Sequence, residues 1–323
     1  MLDIMHPGVY NTIRKAYGMG AGLCDSPDIK GENKMKKLAA FIMTAIIAAL
    51  ACLSFASCAK TGGETLLKTV PVALSNEQYA FAVKKGDAEM KNSVNAFFKA
   101  KADDISAIFE KYTADGADLT SFGDDTIKTT PTGADDELVV ATNLDFAPFE
   151  YTNGNKIAGI DMEIAKLLAD YLGKTLVVVN MEFDAVVTSL ATKDEYNIGI
   201  AGLTITPDRA ETVDFTDPYF GAAQYIVVKK DDTTFDGIDT AEKIEAKLKE
   251  LTGAAAKCGG QKATTSQFYV EGNADFGFSG FSNLKFSGYK SAALAANDML
   301  NGNLAFVVVD EATAKALVSS ITN

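Results

Sequence analysis

The chain has a single histidine, His6, and it lies ahead of a segment that reads as a cleaved leader. A mature protein without histidine cannot run a Ser-His-Asp or Cys-His mechanism, nor build a histidine-ligated zinc site. Cysteine is scarce as well. Cys24, Cys52, Cys58 and Cys258 form no Cys-x-x-Cys pattern and no disulfide framework, so no metal site is expected. Cys258 reads as a small buried residue in a strand rather than a nucleophile. Positive charge is also short, with 30 basic against 43 acidic side chains and a formal net charge of −13. Such a surface repels phosphate backbones, so no nucleic-acid partner is expected. What remains is an ordinary globular composition, 47% hydrophobic over 323 residues. That length gives room for two lobes of about 100–150 residues each.

The N-terminal region reads as targeting rather than fold. Met35-Lys36-Lys37 precedes an apolar run, LAAFIMTAIIAALACLSFA, over residues 38–56. A positive start, an apolar stretch and small residues before a cleavage point make a secretory signal over 35–57. The run ends FASC (55–58), which resembles the lipobox of bacterial lipoproteins, with Phe55 where leucine is usual. That resemblance implies lipidation at Cys58. An uncleaved membrane anchor is the alternative, since a run of this length could span a bilayer. Residues 1–34 match neither signal nor domain and read as a non-native upstream segment, with translation starting at Met35.

Beyond a tether at 59–64, the body reads as an α/β chain. Residues 58–74 carry the tether and an edge strand. Tyr79, Phe81 and Val83 alternate at the strand period, and residues 90–112 carry apolar side chains at helical spacing, with Asp103 and Asp104 as candidate caps. Residues 113–137 are polar, acidic and rich in Gly and Thr, and read as a linker. From Leu138 short apolar strands alternate with helices. One helix opens at Asp161 and closes at Gly173; another (240–251) opens on Asp239 with Glu242 as its capping-box partner. Repeated βα units argue for parallel sheets with helices packed on them.

Arg209 lies just past a strand end in TITPDR, where ligand sites of α/β sheets occur. An arginine there suits a ligand carboxylate, which needs a bidentate and permanently charged donor. The competing reading is a surface arginine paired with Asp208 or Glu211. GIDMEIAKLLA (159–169), AGLTITPDRAETVDFTDPYF (201–220), QKATT (261–265) and Val309-Asp310-Glu311 together resemble family 3 of the bacterial extracellular solute-binding proteins, the polar amino-acid-binding components of ABC importers.

The resemblance implies a type II periplasmic-binding-protein-like fold, each lobe a βα sandwich joined by hinge strands, that closes on an amino acid without changing it. It implies Arg209 on the carboxylate, with Gly202 and Thr204 supplying a backbone carbonyl and donors close by, and Thr264 and Thr265 completing the carboxylate site from the other lobe. Ala263 departs from the glycine usual in that loop. Asp310 matches the acceptor of the ammonium group, with a helix N-cap as its alternative role. Phe146 and Phe183 match aromatic walls, and Asn143 and Gln261 match positions that read the ligand side chain. No cofactor is implied. The implied partners are an amino acid, an ABC permease in the membrane and the membrane itself through the lipid, with the protein a monomer at the cell surface or in the periplasm. Enzyme and sensor alternatives on the same scaffold are a cyclohexadienyl dehydratase and a ligand-sensing receptor subunit.

Residues 75–112 resemble the family's C-terminal tail although they precede the first lobe, so the chain order reads as circularly permuted. Lobe 1 then spans 138–227 and lobe 2 spans 228–323, with 75–112 returning through the hinge to helices on lobe 1. A flexible 113–137 linker spans roughly 25–30 Å, enough to cross one lobe. A remnant of a tandem copy and a strand exchanged between chains are the alternatives. Peptide mapping of the cellular protein is expected to recover nothing from residues 1–34 and to find a lipid on Cys58.

Overall fold

A computed structural model describes residues 64–114 and 116–322. The upstream segment, the leader and Cys58 lie outside the described residues. Among the described residues no helix is long and apolar enough to cross a membrane.

The chain enters through β1 (Leu67–Thr69), β2 (Glu77–Tyr79) and β3 (Ala82–Lys84), followed by α1 (Ala88–Ala100) and α2 (Ala102–Thr113). Tyr79, Phe81 and Val83 are all buried, as their alternation requires. Asp87 caps α1 by accepting from the Met90 N–H at 2.9 Å. The α2 helix starts instead at Lys101 without a side-chain cap. Asp103 and Asp104 sit inside its first turn, where they face the positive end of the helix dipole rather than cap it.

Lobe 1 is built on a five-stranded sheet. At its centre β4 (Glu137–Thr142) is buried along its whole length, as a parallel strand covered on both faces must be. It runs parallel to β8 (Thr175–Asn180) and β9 (Ile198–Gly199). The early strand β3 lies antiparallel between β9 and β10 (Val213–Phe215). Two short hairpins, β5 (Asp145–Phe146), β6 (Glu150–Asn153) and β7 (Lys156–Ala158), lead into α3 (Ile160–Leu172). The chain passes into α3 at Gly159, whose φ of +125° would put a Cβ 2.0 Å from the Phe149 carbonyl oxygen. Only glycine fits there. Gly173, in the left-handed conformation, ends the helix as expected. The start differs from expectation: Gly159 is the cap, and Asp161 turns into the interior because two buried donors await it there. A further helix, α4 (Phe183–Thr192), covers the other face with Val186 and Leu190.

Lobe 2 has a second five-stranded sheet in the order β1, β12 (Gln224–Lys229), β15 (Phe306–Asp310), β13 (Lys257–Gln261) and β14 (Lys285–Tyr289). Cys258 is fully buried in β13, and burial pushes its thiol up to about 12, which leaves it inert. Helices α6 (Ala241–Glu250), α7 (Thr265–Glu271), α8 (Ala292–Leu300) and α9 (Glu311–Ser320) pack on this sheet, while a short α5 (Pro207–Thr212) belongs to lobe 1. The α6 cap is Thr240, whose hydroxyl accepts from the Lys243 N–H, and not Asp239, which pairs outside the helix with the Lys243 ammonium at 2.6 Å. Between the lobes β2 pairs antiparallel with β11 (Phe220–Ala222), forming the two-stranded hinge.

Residues 113–137 are not a free coil. Asp124 and Ile157 exchange backbone hydrogen bonds at 2.9 and 3.0 Å, and the Val178 N–H donates to the Lys128 carbonyl at 2.8 Å. Tyr151 and Asn153 donate to carbonyls of Leu119, Thr120 and Phe122. The segment is bound along lobe 1 through backbone groups, which leave no trace in an apolar pattern.

Phe81 ties the hinge side to α1, with its ring 5.2 Å from Phe98 and 4.9 Å from Tyr219. Phe81→Ala is expected to lower stability by about 3–5 kcal/mol in urea titration, through lost burial and the cavity left behind.

Candidate functional site

The cleft between the lobes narrows to a small cavity of about 10 Å³, closed down around its lining side chains. Its wall contains Arg209, Asp310, Thr204, Gly202, Phe146, Phe183, Gln261, Thr264 and Thr265, together with Tyr79 and Ala201. Asn143 lies behind this wall, fully engaged: its amide donates to the Met181 carbonyl at 2.8 Å, and its oxygen accepts from Gln261 at the same distance. Gln261 spends its second proton on the Lys290 carbonyl. The two amides therefore join the lobes to each other.

Arg209 rides on α5, which begins with Thr206 as cap and Pro207 in its first turn, both favourable at a helix start. Its guanidinium makes no pair with Asp208 or Glu211. Nη1 donates to the Thr204 carbonyl at 2.9 Å, and Nη2 reaches across the cleft to the Ala263 carbonyl at 3.1 Å. The Phe183 ring lies 5.2 Å from the guanidinium carbon, within cation–π range. Burial pulls the guanidinium pKa down to about 10 against the opposing charge of Glu77, so it stays cationic at neutral pH.

Ala263 supplies that carbonyl from a left-handed backbone, φ +59°. The glycine usual in this loop would hold the same conformation without strain. The turn is kept although the residue differs.

Asp310 ends β15 and starts α9, yet its side chain makes no capping bond. It accepts instead from the Gln224 amide at 3.0 Å and from the Tyr79 hydroxyl. Burial pushes its carboxyl up to about 7, with the charge of Glu77 adding to the shift and the two hydrogen bonds opposing it. Gln224, itself fully buried, also donates to Thr265 at 3.1 Å and accepts from Ser266 at 2.7 Å. The Thr264 hydroxyl turns back on its own loop, to the Gln261 carbonyl at 2.7 Å.

Gly202 has a φ of +52°, and a Cβ there would sit 2.9 Å from the Phe146 ring. Its N–H is already given to Asp161 at 2.9 Å, so what it can offer the cavity is its carbonyl. Asp161 also accepts from the Tyr219 hydroxyl at 2.6 Å. Burial pushes Asp161 up to about 6, and raises neighbouring Glu150 well above the carboxylate range. Glu150 meets no amide or hydroxyl donor; holding its proton, it can donate to Asp161. This buried pair braces the Gly202 turn behind the cavity.

Sequence reasoning missed Glu77, Tyr79 and Gln224, and misread Asp161. A glutamate two residues before Tyr79, on the apolar face of a strand, was the available signal. Among the described residues no group of His, Cys, Asp and Glu is arranged to hold a metal ion.

Asp161 and Asp310 both have native pKa values above the unfolded value near 4, so the native state holds more protons between those values. Stability from these groups is present at low pH and is lost as pH rises toward 7. Urea midpoints measured from pH 5 to 8 are expected to fall for the wild type and to fall less for Asp310→Asn.

The family model for bacterial extracellular solute-binding proteins, family 3, matches residues 138–316. Among curated relatives, the arginine-binding extracellular protein ArtP of Bacillus subtilis is 38% identical over 111 residues, covering 34% of this chain and 42% of that protein. ABC transporter arginine-binding protein 1 of Escherichia coli is 28% identical over 180 residues, covering 55% and 65%. The chain thus spans less than two thirds of the length of these relatives. Holo ArgBP from T. maritima is a similar solved structure at 34% identity and a TM-score of 0.47, covering 57% of this chain and 73% of that one. With more than half its length matched and the cleft residues gathered between two βα lobes, the chain belongs to family 3 of the bacterial extracellular solute-binding proteins.

Proposed function

We propose that this protein is an amino-acid receptor that delivers its ligand to an ABC permease and leaves it chemically unchanged. The observation that carries this reading is the placement of Arg209 and Asp310, from opposite lobes, on one small cavity walled by Phe146 and Phe183. A free amino acid is a zwitterion, and the two groups are its complements: the guanidinium for the carboxylate and the aspartate for the ammonium. Ligand contacts to both lobes favour the closed arrangement, because only that arrangement makes both sets.

Gly202 contributes a carbonyl, Thr204, Thr264 and Thr265 polar groups, and Gln261, braced from behind by Asn143, one end of the pocket. The ligand is a polar amino acid. Relatives named for arginine make arginine the first candidate. The protein works as a monomer held by a lipid on Cys58, at the cell surface or in the periplasm.

We further infer that the chain order is rotated relative to the family. Residues 77–113 precede the family-matched region, yet β3 fills an interior place in the lobe 1 sheet and α2 packs on α3. The lipid then tethers lobe 2, through the strand β1 at that sheet's edge.

A thermal-shift screen of the twenty amino acids tests the receptor reading. Ligand at 100 times its Kd should add about 2.7 kcal/mol of stability. Arg209→Ala is expected to abolish the shift given by the wild type. A shift that survives in this variant refutes the assigned site, and turnover of prephenate or arogenate refutes the receptor reading in favour of a dehydratase.

A further inference from the structure

Behind the cavity lies a carboxylate that the recognition scheme above does not use. Glu77, on the hinge strand β2, is 2% exposed and is not part of the cavity wall. Its Oε1 accepts from the Ser75 hydroxyl at 2.6 Å. Its Oε2 accepts from the Thr204 hydroxyl at 2.9 Å and from the Thr265 hydroxyl at 2.7 Å. Thr204 belongs to lobe 1 and Thr265 to lobe 2, and both line the cavity.

A hydroxyl has one proton and two lone pairs. With its proton committed to Glu77, each threonine can present only lone pairs to the cavity. Thr265 already spends one of its lone pairs on Gln224, so its orientation is held from two sides. Hydroxyls that can only accept suit an ammonium and do not suit a carboxylate. Asp310, the direct acceptor, is close enough to Glu77 to be affected by its charge. The acceptors thus cluster on one side of the cavity, opposite in character to Arg209.

We propose that Glu77 is a positioning residue for the ligand's ammonium group, holding the protons of Thr204 and Thr265 so that one hydroxyl from each lobe faces the cleft as an acceptor. This rests on the amino-acid reading above. It makes Glu77 a determinant of amine recognition without touching the ligand. It also ties that recognition to both lobes, since a threonine from each donates to the same Oε2.

The test compares each amino acid with its des-amino counterpart: L-arginine with 5-guanidinopentanoic acid, and L-glutamine with glutaramic acid. Affinities are measured by titration calorimetry on the full-length protein in detergent, for the wild type, Glu77→Gln and Glu77→Met. Glutamine keeps an acceptor but removes the charge; methionine removes both. The wild type should prefer the amino acid strongly. That preference should shrink about tenfold or more in Glu77→Met, with Glu77→Gln between, as expected for losing a hydrogen bond to a charged group. Affinity for the des-amino compound should hold within about threefold, against the roughly tenfold loss on the amine side. Parallel loss for both members of a pair would mean a merely structural role and overturns the proposal, as does an unchanged preference in both variants. Where the twenty-amino-acid screen selects another ligand, that amino acid and its des-amino counterpart replace these pairs; a wild type that binds none of the twenty overturns the amino-acid reading and this proposal with it, an outcome read before any variant is made.

Discussion

A cation and an acid line one small cavity with a second acid buried behind it, and the rest of the molecule is arranged so that none of them is left without a partner. Burying an unpaired charge costs several kcal/mol, so a cleft that gathers Arg209, Asp310 and Glu77 has to supply hydrogen bonds from every side. It does so from both lobes and from the hinge. Thr204 and Ala263 give carbonyls to the guanidinium, Gln224 and Tyr79 give protons to Asp310, and three hydroxyls satisfy Glu77. The hinge strands are therefore more than a flexible joint. They carry Glu77 and Tyr79, which together with Gln224 at the start of β12 set the polarity of the site.

The same division runs through what could be read from the amino-acid order alone. Arg209 and Asp310 were legible because each follows a short apolar strand in a motif with a recognisable shape. The two-lobed fold was legible because ELVVAT, TLVVV and LAFVVVD are strong strand signals separated by helical periods. Glu77 and Gln224 were not. Each is a polar residue within a strand, and only the pairing of β2 with β11 and of β12 with β15 brings them to the cleft. Such contacts are long-range, and no local pattern encodes them.

Asp161 shows a second limit. An acid in the first turn of a helix is ordinarily a favourable charge near the dipole, and the motif reads that way. Its interior role with Tyr219 and Gly202 depends on partners 58 and 41 residues away in the chain. Strand β14 escaped notice for a related reason: KFSGY lies at a sheet edge with no fully buried side chain, so its apolar signal is weak. The 113–137 segment is held by backbone bonds that composition does not report.

Around the mouth of the cleft the lobes meet through charge rather than apolar surface. Lys262 lies 3.0 Å from Asp184 and 3.4 Å from Glu182, and Lys290 lies 2.8 Å from Glu182, the lysines on lobe 2 and the acids on lobe 1. All four side chains are well exposed to water, so dissolved ions screen them, over about 10 Å at 0.1 M and about 3 Å at 1 M ionic strength. A protein of an extracellular family has no cytoplasm to buffer the salinity around it. The grip of its rim therefore varies with the medium: firmer in dilute water, looser in brine, while the buried interior contacts beneath are largely sheltered from the change.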